Sequence, residues 1–83
     1  MTLQEIEQII INKISYYCKI DKAQIDPVAP LEHIALDSIL VMTIVEELKH
    51  ELAVDLPTFI FYENETLRDS ATMIIELMES SRK

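Results

Sequence analysis

The sequence contains no glycine, only three prolines and a single cysteine among 83 residues. Hairpin turns and phosphate-cradling loops usually need glycine for positive φ angles, so this absence argues against a β fold, a P-loop and a dinucleotide-binding motif. The lone Cys18 excludes an internal disulfide and a cysteine-cluster metal site, and it favours a cytoplasmic location. The class that these absences predict is an all-α fold.

Basic residues are also scarce: the sequence has 7 lysines and arginines and 15 aspartates and glutamates, which gives a net charge of −8. Lysine and arginine supply the affinity for nucleic acids and anionic membranes, so we expect neither as a partner. Proteins with basic surfaces are favoured instead. No apolar run approaches the length of a membrane span, and residues 1–4 lack the basic start of a signal peptide. We expect a cytoplasmic monomer.

Apolar residues at helical spacing predict three main helices and one short helix. Thr2 and Glu5 form a capping box before a helix over residues 3–17, whose apolar stripe ends at Tyr17. A second helix covers residues 39–52. Its core side holds five aliphatic residues: Val41, Ile44, Val45, Leu48 and Leu52. A short helix is predicted at 58–62, and the last helix starts after the cap Thr66 and ends near Ser80.

A long loop, residues 19–37, separates the first two helices. Asp26-Pro27 and Ala29-Pro30 break any helix there, because the residue before proline avoids helical angles. Loops of this length are uncommon in compact domains and are often functional. The sequence therefore predicts a small four-helix bundle, folded as one domain over residues 1–83.

The Asp37-Ser38 step lies where this loop enters the second helix. A helix N-terminus presents free N–H groups and partial positive charge, so a serine hydroxyl there suits a covalent attachment that carries phosphate. Serine and aspartate are also the commonest N-cap residues. A simple cap is therefore the alternative interpretation of Ser38.

The outer side of the second helix is a candidate docking face. We name it the partner face, and it consists of Ile39, Met42, Thr43, Glu46, Lys49 and His50. Ile39 and Met42 have no evident reason to face water, and exposed apolar residues rimmed by polar ones are typical of binding surfaces. The alternative is that they pack beneath the preceding loop.

Catalysis by this chain is not expected. A serine hydrolase needs a base and an oxyanion hole, but His50 lies three turns from Ser38 and only His33 could approach it. There is no Gly-x-Ser-x-Gly elbow and no calcium-loop pattern, so we predict neither an enzyme nor a metal site.

Two segments resemble the acyl carrier protein family. Residues 31–39 have the pattern L-x-x-I-A-L-D-S-I before an amphipathic helix, and residues 54–69 read V-D-L-P-T-x-I-F-x-E-x-x-T-L-x-D. The second pattern is most similar to carriers of polyketide synthases and of mixed polyketide–peptide assembly lines. The resemblance extends from about residue 6 to residue 78. Three positions depart from the family: Ala35 replaces a usual glycine, Ser70 a usual leucine, and Ile39 a more frequent leucine.

The resemblance implies that Ser38, flanked by Asp37, accepts 4′-phosphopantetheine from coenzyme A through a separate phosphopantetheinyl transferase. The thiol of that arm would carry acyl groups as thioesters in polyketide or hybrid polyketide–peptide biosynthesis. The partner face would then bind the transferase, a ketosynthase, an acyltransferase and other biosynthetic enzymes. Two alternatives stay open. One is a fatty-acid, aminoacyl or peptidyl carrier, and the other is an unmodified helical module that docks through the second helix.

Overall fold

A computed structural model describes residues 1–34 and 36–80. Ala35 and residues 81–83 lie outside the described residues, so the substitution at Ala35 and the end of the predicted domain have no structural account. Four α-helices form, in this order: α1 (Leu3–Cys18), α2 (Ser38–Leu52), α3 (Ile60–Glu63) and α4 (Leu67–Ser80). The described part of the chain has no strand beyond an isolated bridge between Pro30 and Thr66. The all-α, four-helix prediction is confirmed.

The helix ends follow the capping signals of the sequence. The Thr2 hydroxyl accepts the Glu5 N–H at 3.2 Å while the Glu5 carboxylate accepts the Thr2 N–H at 2.9 Å, which completes the predicted box. Thr66 caps α4 by accepting the Asp69 N–H at 3.1 Å. Without glycine, α1 and α2 end in left-handed residues, Lys19 at φ 57° and Ala53 at φ 51°. Each costs about 1–2 kcal/mol relative to a right-handed conformation.

The core is aliphatic and lies between α1, α2 and α4. Its fully buried members include Ile6, Ile10, Ile14, Val41, Ile44, Val45, Leu48, Ile60, Leu67 and Ile74. The long loop contains 3₁₀ turns at Lys22–Gln24 and Leu31–His33 and is fastened to the start of α4. The Leu31 N–H donates to the Glu65 carbonyl at 2.8 Å, and the Arg68 N–H donates to the Pro27 carbonyl at 2.9 Å. The loop is therefore held against the start of α4 at Pro27 and Leu31.

Three details differ from the sequence predictions. The short helix is Ile60–Glu63 rather than 58–62, because Pro57 starts a turn whose carbonyl accepts the Ile60 N–H at 3.2 Å. Helix α2 begins one residue earlier than predicted, at Ser38. Tyr17 does not end the apolar stripe of α1, since it is exposed and its hydroxyl donates to Glu47.

Two buried polar residues were not recognised from the sequence. Glu7 is only 5% exposed because the Arg68 Nε donates to its carboxylate at 2.6 Å, which ties α1 to α4. This bond raises the pKa of Arg68. Ser70 is fully buried on α4, and its hydroxyl reaches the Ile60 carbonyl at 3.5 Å. No helix in the described ranges is both long and apolar enough to cross a membrane.

Candidate functional site

Ser38 is the first residue of α2, and Asp37 is its cap. Asp37 has extended backbone angles, and its carboxylate accepts the Leu40 N–H at 2.7 Å. The interpretation of Ser38 as the cap is therefore wrong, because the carboxylate one residue earlier already occupies that position. The Ser38 side chain is exposed and makes no hydrogen bond to another described residue. Its hydroxyl is available for chemistry.

The surroundings of Ser38 suit an attached phosphate. The first four N–H groups of an α-helix have no partner inside the helix, and here the Asp37 carboxylate accepts that of Leu40. The remaining amides lie at the positive end of the helix dipole, which stabilises a negative charge. A phosphodiester on Ser38 would meet this end of α2.

The six residues of the partner face do lie on the outer side of α2. Ile39 is 76% exposed and Met42 is 45% exposed, so the alternative that they pack beneath the loop is wrong. Lys49 sits between two carboxylates, 3.5 Å from Glu46 and 3.6 Å from Asp55. Its charge is thus offset, and this end of the face stays acidic. Whether the face binds partners stays a prediction.

A cavity of about 420 Å³ opens between α2, α3 and the loop that precedes Ser38. Its lining includes Leu31, Ile34, Leu36, Val41, Phe61, Tyr62, Glu32 and Glu65. The Tyr62 hydroxyl donates to the Leu36 carbonyl at 3.3 Å and so connects α3 to the loop two residues before Ser38. We call this side the α3 flank.

Two aromatic residues of the α3 flank were not identified as site residues from the sequence. Phe59 is 47% exposed and Tyr62 is 55% exposed, and their ring centroids are 5.9 Å apart. The sequence did carry a signal for this exposure. A helix as short as the one predicted at residues 58–62 cannot bury all the aromatic rings between Phe59 and Tyr62. Ile60 and Phe61 take the buried positions.

The opposite side of α2, which we call the α1 flank, is a shallower groove of about 290 Å³ next to α1. Lys13 donates to Glu47 at 2.9 Å and also to Glu51, and Tyr17 donates to Glu47. The bonds from Lys13 and then Tyr17 hold the pKa of Glu47 below its ordinary value. Burial alone would lower the pKa of Lys13, but its two glutamate partners together raise it.

In the described ranges, neither histidine is paired with Ser38, and the acids form no metal-binding cluster. His33 and His50 are both exposed, and neither is hydrogen-bonded to Ser38. No group of three or more histidine, cysteine, aspartate or glutamate residues that could hold a metal ion occurs in residues 1–34 and 36–80. Burial raises the pKa of the Cys18 thiol above its ordinary value.

The sequence matches a known family, and the fold is similar to a solved structure. Residues 8–74 match the family described as "Phosphopantetheine attachment site". Curated protein sequences give no match. The fold is similar to that of the HMG-ACPI domain from the CurA module of Lyngbya majuscula, with a TM-score of 0.82 and 18% identity over 99% of this chain and 83% of that chain.

Proposed function

The chain belongs to the phosphopantetheine attachment family, and from that premise we propose that it is an acyl carrier whose arm is attached to Ser38. The family is a carrier family without catalysis of its own, and its cofactor is covalently attached 4′-phosphopantetheine. The observation that carries the assignment to Ser38 is the position of this residue. Ser38 is the first residue of α2, its hydroxyl is exposed, and Asp37 rather than Ser38 caps the helix.

The residues around Ser38 fit the attached group. In the transfer, the Ser38 oxygen forms a bond to the phosphorus of coenzyme A that bears pantetheine, the bond to the adenosine bisphosphate portion breaks, and the serine proton leaves. A separate transferase carries out this step. The positive end of α2 would stabilise the negative charge of the phosphodiester, and Asp37 caps that first turn. Once attached, the arm supplies a thiol that carries acyl groups as thioesters.

A polyketide or hybrid polyketide–peptide pathway is the proposed setting. Support comes from the pattern of residues 54–69 and from the structural likeness to a domain whose description names it an HMG-ACP. A ketosynthase, an acyltransferase and other enzymes of such a pathway, in the cytoplasm, are the partners we propose. Loading assays with acyl, aminoacyl and peptidyl donors would separate this function from the fatty-acid and peptidyl alternatives.

Intact-protein mass spectrometry tests the attachment directly. The protein is incubated with coenzyme A, magnesium and a broad-specificity phosphopantetheinyl transferase, and we expect the mass of one phosphopantetheine to be added. Ser38→Ala should gain nothing. Ser80→Ala is the matched control, since Ser80 is an exposed serine at the far end of α4, and it should be modified like the wild type.

Other outcomes would reassign the site or the function. A mass gain that persists in Ser38→Ala would move the attachment to another residue. A folded wild-type protein that gains no mass would leave the unmodified docking module as the better interpretation. Circular dichroism before the reaction verifies that each variant is helical.

A further inference from the structure

We propose that Phe59, which precedes α3, and Tyr62 on α3 form an aromatic anchor that holds the phosphopantetheinyl transferase while it modifies Ser38. The inference rests on the proposed function, and it adds a binding element outside the partner face of α2. Its occupant is one defined protein, the enzyme that must reach the Ser38 hydroxyl. Three observations carry it: the distance of Tyr62 from Ser38, the exposure of the two rings, and the charge around them.

The anchor lies close to the reacting hydroxyl. Tyr62 donates to the Leu36 carbonyl at 3.3 Å, and only Asp37 separates Leu36 from Ser38. Standard backbone dimensions then place the Tyr62 hydroxyl within about 10 Å of the Ser38 Cα atom. A stable interface covers about 800 Å² on each partner, a disc of about 16 Å radius. An interface centred on Ser38 is therefore wide enough to include Tyr62.

The exposure of the two rings has no explanation in the packing of the bundle. About half of each side chain faces solvent, although the neighbouring Ile60 and Phe61 are buried. The two rings lie against each other, with centroids 5.9 Å apart, so together they form one continuous apolar ridge. Aromatic side chains of this kind are enriched at the centres of protein interfaces, where a few of them supply most of the binding energy.

The charge around the anchor matches the chemistry of the proposed occupant. Glu32 and Glu65 line the adjoining cavity, and Glu63 is exposed on α3 beside Tyr62. A transferase binds coenzyme A, which is polyanionic, so its active-site entrance carries basic residues that attract acidic surfaces. An apolar ridge edged by carboxylates is complementary to such an entrance.

The test measures kcat/KM for phosphopantetheine transfer by a broad-specificity transferase, with coenzyme A saturating and the carrier varied. We expect Phe59→Ala and Tyr62→Ala each to lower kcat/KM about tenfold, mainly through KM. Tyr62→Lys should lower it further, because it places a positive charge against the basic entrance. Tyr16→Ala is the matched control, since Tyr16 is 76% exposed but belongs to the α1 flank, and it should stay within about twofold of the wild type.

The outcomes separate this inference from the proposed function. If the wild type is modified, and Phe59→Ala and Tyr62→Lys are modified as fast as the wild type, the anchor is overturned and the carrier assignment stays intact. An equal loss in Tyr16→Ala would also overturn it, because the effect would not be specific to α3. Absence of transfer to the wild type would refute the carrier assignment itself. Thermal midpoints of all variants, compared with the wild type, show that the fold is retained.

Discussion

The two flanks of α2 differ in how their polar and apolar groups are used. On the α1 flank, Lys13 and Tyr17 direct their polar atoms onto Glu47, and Lys13 also reaches Glu51. On the α3 flank, one hydrogen bond from Tyr62 to a backbone carbonyl crosses the cavity, and Phe59 and Tyr62 stay half exposed. The α1 flank pairs its charged groups within the chain, whereas the α3 flank leaves apolar surface exposed to solvent.

This difference indicates a division between stability and binding. Contacts that are complete within a chain contribute to its folding free energy, and they offer little to another protein. Half-exposed rings add little to folding, but they gain free energy when a partner covers them. We therefore expect substitutions on the α1 flank to change the stability of the bundle and substitutions on the α3 flank to change its encounters with enzymes.

The largest expected effect on stability comes from Lys13→Met, which keeps the apolar stem and removes the ammonium group. The Lys13 side chain is 13% exposed and bridges two glutamates, which would be left beside each other without a cation. We expect the free energy of unfolding to fall by about 1–2 kcal/mol. Urea denaturation followed by circular dichroism measures it.

Lys49→Met is the matched control, because Lys49 also bridges two acids but over longer distances, 3.5 Å to Glu46 and 3.6 Å to Asp55. Its partners are largely exposed, so we expect a loss of at most about 0.5 kcal/mol. Tyr62→Phe on the α3 flank should also fall within about 0.5 kcal/mol of the wild type. Equal losses at Lys13, Lys49 and Tyr62 would contradict the proposed division between the flanks.

The helices and the outward direction of the partner face could be predicted from the sequence. Capping boxes and apolar stripes are local signals, so the sequence predicted the ends of α1 and α4 almost to the residue. The absence of glycine excluded competing folds, although it did not reveal that Lys19 and Ala53 would adopt left-handed angles. Those angles depend on where the chain must turn after each helix.

The two flanks of α2 could not be predicted from the sequence, because they depend on contacts between residues far apart in the chain. Glu47 and Lys13 are separated by 34 positions, and Arg68 and Glu7 by 61. A helical wheel places Glu47 at the edge of α2 but does not show which helix packs beside that edge. The cap presented a different difficulty, since Asp37 and Ser38 are both good caps and only the backbone geometry of Asp37 decides between them.

The next prediction concerns Asp37, which caps the start of α2. Asp37→Ala removes the side-chain acceptor of the Leu40 N–H, so we expect a loss of about 1 kcal/mol in the free energy of unfolding. Asp37→Asn retains an acceptor oxygen and should recover most of that loss. Ser38→Ala should leave the stability nearly unchanged, and a larger loss in Ser38→Ala than in Asp37→Ala would show that the serine is the cap after all.

The smallest expected effect is the loss of the stability that the α1 flank contributes when the pH is lowered. Hydrogen bonds from Lys13 and Tyr17 lower the pKa of Glu47 below its ordinary value of 4.5 in the folded chain. A carboxylate with a depressed folded pKa stabilises the fold above its unfolded pKa, and this contribution disappears as the pH falls through the folded value. The Glu47 side chain is 35% exposed, so solvent screening keeps the contribution small.

Thermal midpoints of the wild type, Glu47→Gln and Tyr62→Phe across acidic pH measure this response. We expect the wild type to be more stable than Glu47→Gln near neutrality, and the difference should shrink below about pH 4.5 as Glu47 takes up its proton. Tyr62→Phe should follow the wild type at every pH, because the Tyr62 hydroxyl bonds a backbone carbonyl that does not titrate in this range. If the difference in thermal midpoint between the wild type and Glu47→Gln persists or widens in acid, Glu47 stabilises the fold through packing. Glu51 would then be the only ionic partner of Lys13 on the α1 flank.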